Sequence, residues 1–229
     1  MSVGTPRPAV TAHVLPVEAL PQLDVPVTPG GLVVGHEGGR QPVVMQLFRN
    51  RPTYLGVFAA AYVGKLLAFR ALAMAAQVAV VTPRPPVWQP LANAAPAGWV
   101  VPVPPGAPTP PAGTPIGPSM VLDDAGMGEA QLRGDLGAWQ TQLVLRPFAT
   151  PQMASQLRPF DVVVLQRTQP ESVQALQATF GLPDQTAQWL PRMPDNTVAV
   201  LAAGEVRFVN LAPTQAEHAA FGPPTRLDA

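Results

Sequence analysis

A Gly-Lys pair, Gly64-Lys65, and an acid pair, Asp123-Asp124, are the residues whose types and spacing could do chemistry in this chain. A Gly-Lys pair following an apolar strand belongs to the phosphate-binding loop, where backbone N–H groups cradle phosphate and the lysine adds a point charge. Two carboxylates closing a strand can hold magnesium through water. The two pairs together would make an ATP–Mg²⁺ site. The frame, however, is Ala59-Ala-Ala-Tyr-Val-Gly64-Lys65-Leu66. Ala59 stands where the pattern has its first glycine, and Leu66 where it has the Ser or Thr that holds magnesium. An alanine Cβ is strained in a left-handed turn, so the frame reads as the structural remnant of such a loop.

The same residues can be overlaid on the dinucleotide fingerprint Gly-x-Gly-x-x-Gly, with Ala59, Ala61 and Gly64 in its three positions. Only the glycine for close helix packing survives, and Thr82-Pro-Arg-Pro stands where an acid should end the next strand. An NAD(P)-binding enzyme using the 59–65 turn is therefore the competing reading. Asp123-Asp124 also fits the start of a turn, since Asp and Gly are common there. His13, His36 and His218 show no triad or metal-ligand spacing, and the four tryptophans read as core or loop anchors.

These residues need elements to hold them. Leu55 to Phe58 suits a buried parallel strand, Tyr62 to Gln77 is rich in helix formers, and Val78 to Val81 is a second strand. Gly31–Gly35 and Pro42–Phe48 flank a glycine turn and predict a hairpin. Pro83-Arg-Pro-Pro-Val-Trp88 predicts an end to regular structure, and residues 98–118, with eight prolines and four glycines, predict a linker or exposed loop. Strands are expected at 119–124, 141–145 and 160–165, with a short helix at 150–157 carrying Thr150 as N-cap. Helices at 170–180, closed by Gly181, and at 184–190 precede a last hairpin, 197–201 with 206–211. The expectation is an α/β fold: a mainly parallel sheet with flanking helices, a degenerate P-loop or Rossmann-like core, and antiparallel hairpins at both ends. Residues 1–29 form a proline-rich arm in which Leu15, Leu20 and Leu23 could dock, 30–217 a single domain, and 218–229 a loosely held tail.

With 47% hydrophobic residues, the 229-residue chain is ample for a core. Charged residues make up 12%, against roughly 25% in an average domain, and the net charge is zero, which argues against nucleic-acid binding. The absence of cysteine excludes disulfides and thiolate sites. Leu55 to Val81 is apolar enough to raise a membrane span, but Lys65 and Arg70 would lie near the bilayer centre at roughly 2.5–3.5 kcal/mol each. The N-terminus has no apolar signal region, which predicts a cytoplasmic chain, peripheral to a membrane only through a partner.

The order of these features resembles the start of FtsK/HerA-type motor ATPase domains, including those of type VII (ESX) secretion. The carrying residues are Gly31–Gly35, Pro42–Phe48, Gly64-Lys65 and Leu66–Ala73, with Ser119–Asp124 in the place of the acid-bearing strand. Asp161–Thr168, Met193–Leu201 and Phe208–Glu217 are similar to the late strands of such domains. With Ala59 and Leu66 at catalytic positions, the resemblance implies a pseudo-ATPase without bound cofactor. It also implies protein partners in a secretion or DNA-translocation machine, in the manner of an EccE-like accessory protein.

Overall fold

Residues 31–124, 126 and 131–224 are described by the computed structural model. The arm with its leucines and His13 lies outside them, as does the end of the tail. The strands are β1 (Leu32–Glu37), β2 (Gln41–Met45), β3 (Thr53–Phe58), β4 (Gln77–Val81), β5 (Val100–Val103), β6 (Ser119–Asp124), β7 (Gln140–Arg146), β8 (Val162–Leu165), β9 (Thr197–Ala202) and β10 (Glu205–Asn210). The helices are α1 (Ala61–Leu72), α2 (Pro85–Ala94), α3 (Pro170–Phe180), α4 (Asp184–Trp189) and α5 (Gln215–Phe221), with 3-10 turns at Pro151–Leu157 and Leu190–Arg192.

All ten strands form one mixed sheet in the order β2-β1-β10-β9-β8-β3-β7-β6-β4-β5. From β8 to β5 the pairs are parallel, and from β8 to β2 they are antiparallel. An α/β fold with a largely parallel sheet is thus what the chain adopts. The central strand β3 carries apolar side chains on both faces because helices cover both, whereas β7 is apolar towards α1 and carries Gln140, Gln142 and Arg146 beside Val144 on the other face. On one face α1 and α2 pack over Leu55, Val57, Leu143 and Leu145. The other face carries Phe58, Val144, Val163 and Leu165 under α3, α4 and the 3-10 turns. Leu55 to Val81 is strand, helix and strand, and no helix among the described residues is long and apolar enough to cross a membrane.

Both expected hairpins form, β1-β2 and β9-β10, and they meet edge to edge through His36 and Asn210 on the same side of the sheet. Three other expectations are corrected. Pro83–Trp88 does not end regular structure: Pro85 and Pro86 open α2, since proline lacks only an N–H that the first turn leaves unpaired anyway. The 98–118 stretch contains β5, and the segment that follows is pinned. Gln140 Nε2 donates to Pro110 O and Pro111 O, each at 2.8 Å, and Arg133 Nη1 to Ala107 O at 3.1 Å. The start of the expected tail, 218–221, is held in α5 (Gln215–Phe221), with Thr214 and Glu217 in a reciprocal capping box and Phe221 edge-on to Phe69 at 5.5 Å.

Helix α1 ends five residues before the expected Gln77. Ala76 N donates to Ala71 O and Ala75 N to Leu72 O, with Ala75 at φ 62. This is a Schellman closure with alanine where glycine is usual. Ala75→Gly is expected to raise stability by about 0.5–1 kcal/mol in urea melts, the left-handed penalty of about 1–2 kcal/mol less the entropy that glycine adds to the unfolded chain.

Candidate functional site

The carboxyl ends of the parallel strands form one edge of the sheet, and both residue pairs singled out by the sequence lie along it. Only Ala59 and Ala60 separate β3 from α1. Gly64 and Lys65 are therefore helical residues, more than half a turn inside α1, and not members of the turn itself. Gly64 is where the helix approaches closely: a Cβ there would meet Trp88 Cη2 at 3.1 Å and Leu145 Cδ2 at 3.2 Å. Lys65 is half-buried on the same helix, and Leu66, in the magnesium-hydroxyl position, is a core residue with no exposure.

The turn is shut. Ala59, Ala60 and Ala61 are 1–2% exposed. Ala59 N donates to Arg146 O at 2.8 Å and Ala60 N to Gln166 Oε1 at 3.1 Å. Ala60 is the N-cap of α1 and its N–H the first of those a helix start offers a phosphate, and partners on β7 and just past β8 hold both it and Ala59 N.

The two carboxylates face opposite ways, because successive side chains of a strand alternate. Asp124 is fully buried on the α2 side and accepts from Thr82 Oγ1 at 2.9 Å, Trp88 Nε1 at 2.8 Å, Arg84 Nη2 at 2.8 Å and Arg84 Nε at 3.3 Å. Burial works to raise its pKa, yet the hydrogen bonds from Arg84, Trp88 and Thr82 outweigh it and hold the carboxyl below its ordinary range. A carboxylate with four protein donors is the joint between β4, α2 and β6. Asp123 is half-buried on the opposite face, where burial pushes its pKa up against the pull of Arg146 and Arg133. The pair does not converge on one point. Among the described residues no group of three or more His, Asp or Glu is placed to hold a metal. His36 lies in β1 and His218 on α5.

Thr82, Arg146 and Gln166 are the site residues that sequence reasoning passed over, whereas Arg84, which the NAD(P) reading offers with Lys65 as a charge for phosphate at the 59–65 turn, is bound to Asp124. Thr82 and Arg84 sit in the Thr-Pro-Arg-Pro run, whose Pro85-Pro86 is equally a helix-start signal. Arg146 is a lone cation ending an apolar run, and Gln166 shows no local signal. Comparison of the chain with known protein families, with curated proteins and with solved structures finds no match, so its chemistry rests on the shut turn and on the hydrogen bonds that occupy Asp124.

Proposed function

We propose that the chain is a non-catalytic interaction module: a degenerate relative of the FtsK/HerA-type ATPase domain, accessory to a protein-secretion or DNA-translocation machine. The observation that carries this reading is the shut β3–α1 turn, whose Ala59 and Ala60 N–H groups are already donated within the protein. The strand–helix–strand unit β3-α1-β4 and an acid pair ending another parallel strand of the same sheet support the resemblance. Loss of the phosphate cradle and of the magnesium ligand supports the absence of catalysis. Two sheet edges, β2 and β5, each pair with one neighbour only, and each carries a proline, Pro42 or Pro102. Proline on an edge discourages indiscriminate strand addition and leaves room for a fitted partner.

Isothermal titration with ATP and Mg²⁺ is expected to show no heat of binding up to millimolar nucleotide, and thermal melts no shift, in both the wild type and Lys65→Ala. Micromolar binding, or a melting temperature raised by ATP–Mg²⁺ and restored by Lys65→Ala, would overturn the non-nucleotide reading. The accessory role predicts saturable anisotropy of the labelled chain with an FtsK/HerA-type motor protein of the same cell, and a flat titration speaks against it.

A further inference from the structure

On the sheet face opposite α1, the ends of β6 and β7 hold a second cluster. Leu143 and Leu145 of β7 pack towards α1, so Val144 and Arg146 face the other way. Arg146 is 1% exposed. Its Nη1 donates to Gly126 O at 3.2 Å, while Nε and Nη2 are buried with no hydrogen-bond partner among the described residues. Nε–H and Nη2–H are the two parallel donors along one edge of a guanidinium, the edge that takes a carboxylate or phosphate side-on. A guanidinium stays charged and has no acceptor capacity, so the group that satisfies these donors must be an acceptor, and a charged oxygen suits them best.

The surroundings favour an anion. Arg133 lies near the same carboxylate, Asp123, and its own Nε is buried without a partner. Among the described residues, Arg146 and Arg133 against Asp123 are two positive charges to one negative, while Asp124 is neutralised separately by Arg84. Asp123 supplies charge but accepts no hydrogen bond from Arg146. Asp123, Gly126 and Arg133 are partly exposed, so the cluster reaches the surface through them.

We propose that the Nε–Nη2 edge of Arg146, backed by Arg133, is an oxyanion site that binds a phosphate or carboxylate group side-on at the carboxyl ends of β6 and β7. It is independent of the β3–α1 turn, which remains shut.

The test is a thermal melt of the whole chain in chloride against inorganic phosphate and against acetate, at equal ionic strength. At saturation the ligand is expected to raise the melting temperature by about 3 °C or more. A rise with phosphate alone, or with acetate alone, identifies the group bound. Arg146→Met should abolish the rise, and Arg146→Lys, which keeps the charge but loses the parallel donors, should abolish most of it. Lys65→Ala should leave it intact. A melting temperature unmoved by both anions, or a rise that survives Arg146→Met, overturns the site. Should Arg146→Met fail to fold, ³¹P line broadening of phosphate and ¹³C broadening of labelled acetate by the wild type decide instead. Broadening that weakens in Arg133→Gln supports the site, and sharp lines with both anions overturn it. A shift with ATP–Mg²⁺ that vanishes in Lys65→Ala would strike the proposed function and leave this site standing.

Discussion

Arg70→Met is expected to lower stability by about 3–5 kcal/mol, because it leaves a buried carboxylate without its cation. Arg70 lies on α1 and its side chain is 13% exposed, against 3% for Glu217 on α5. Its Nε and Nη2 donate to the two oxygens of Glu217, and the remaining N–H groups to Val33 O, Val34 O and Leu211 O. One side chain therefore joins α1 to β1, to the end of β10 and to α5. Methionine keeps the aliphatic stem, so the loss reports the guanidinium. The Glu217 pKa is pushed up by burial, but the hydrogen bonds from Arg70 and Thr214 outweigh this and bring it below the ordinary value. A depressed folded pKa gives stability that is present above the unfolded value of about 4.3 and is lost as pH falls through the folded one. Wild-type urea midpoints should accordingly fall on acidification, and the Arg70→Met deficit should shrink. Arg70→Met combined with Glu217→Leu should recover part of the loss. A single-variant cost under about 1 kcal/mol would place the pair among ordinary surface contacts.

Asp124→Ala is the second large effect, expected at about 2–4 kcal/mol. It strands Trp88 Nε1 and Thr82 Oγ1 in the interior, whereas Arg84, whose side chain is 38% exposed, can turn to water. Asp124→Asn should do little better, since its amide presents donors to donors. The sign with pH follows from the lowered folded pKa. Asp124 stabilises above the unfolded value of about 3.9, and its contribution disappears as pH falls through the lower folded value. Urea midpoints measured from pH 7 to pH 2 should thus converge for wild type and variant at the acid end. Trp88, 4% exposed, gives a fluorescence readout that should shift to the red in the variant. An unchanged midpoint at pH 7 would mean that Asp124 is not the joint described.

Local signals in the chain were enough for the α/β class, the strand–helix–strand core and several element ends. Gly181 adopts φ 64 just past α3, where a left-handed cap was expected. Pro151 opens the 3-10 turn after Thr150, and Thr197–Ala202 with Glu205–Asn210 makes the closing hairpin. In each case the residue's own dihedral preference or its period decides the outcome. Residues 83–88 and 218–221 depart from the expectation because proline and glycine report only what the backbone forbids. Pro85 breaks a strand and starts a helix by the same property, a fixed φ without an N–H.

Whether the Gly-Lys turn is a cradle or a shut corner was decided by partners remote in sequence. Ala60 meets Gln166 106 residues away, Asp124 meets Trp88 36 residues away, and Arg70 meets Glu217 across 147. The sequence by itself determined that the loop had lost its first glycine and its hydroxyl. Only the tertiary structure decided that β7 and the end of β8 hold the turn's N–H groups, and that Arg146 keeps an unoccupied donor edge on the other face. Hydrogen bonds are directional and short-ranged, so their partners are chosen by which strands the sheet order brings together, and no spacing along the chain encodes that order.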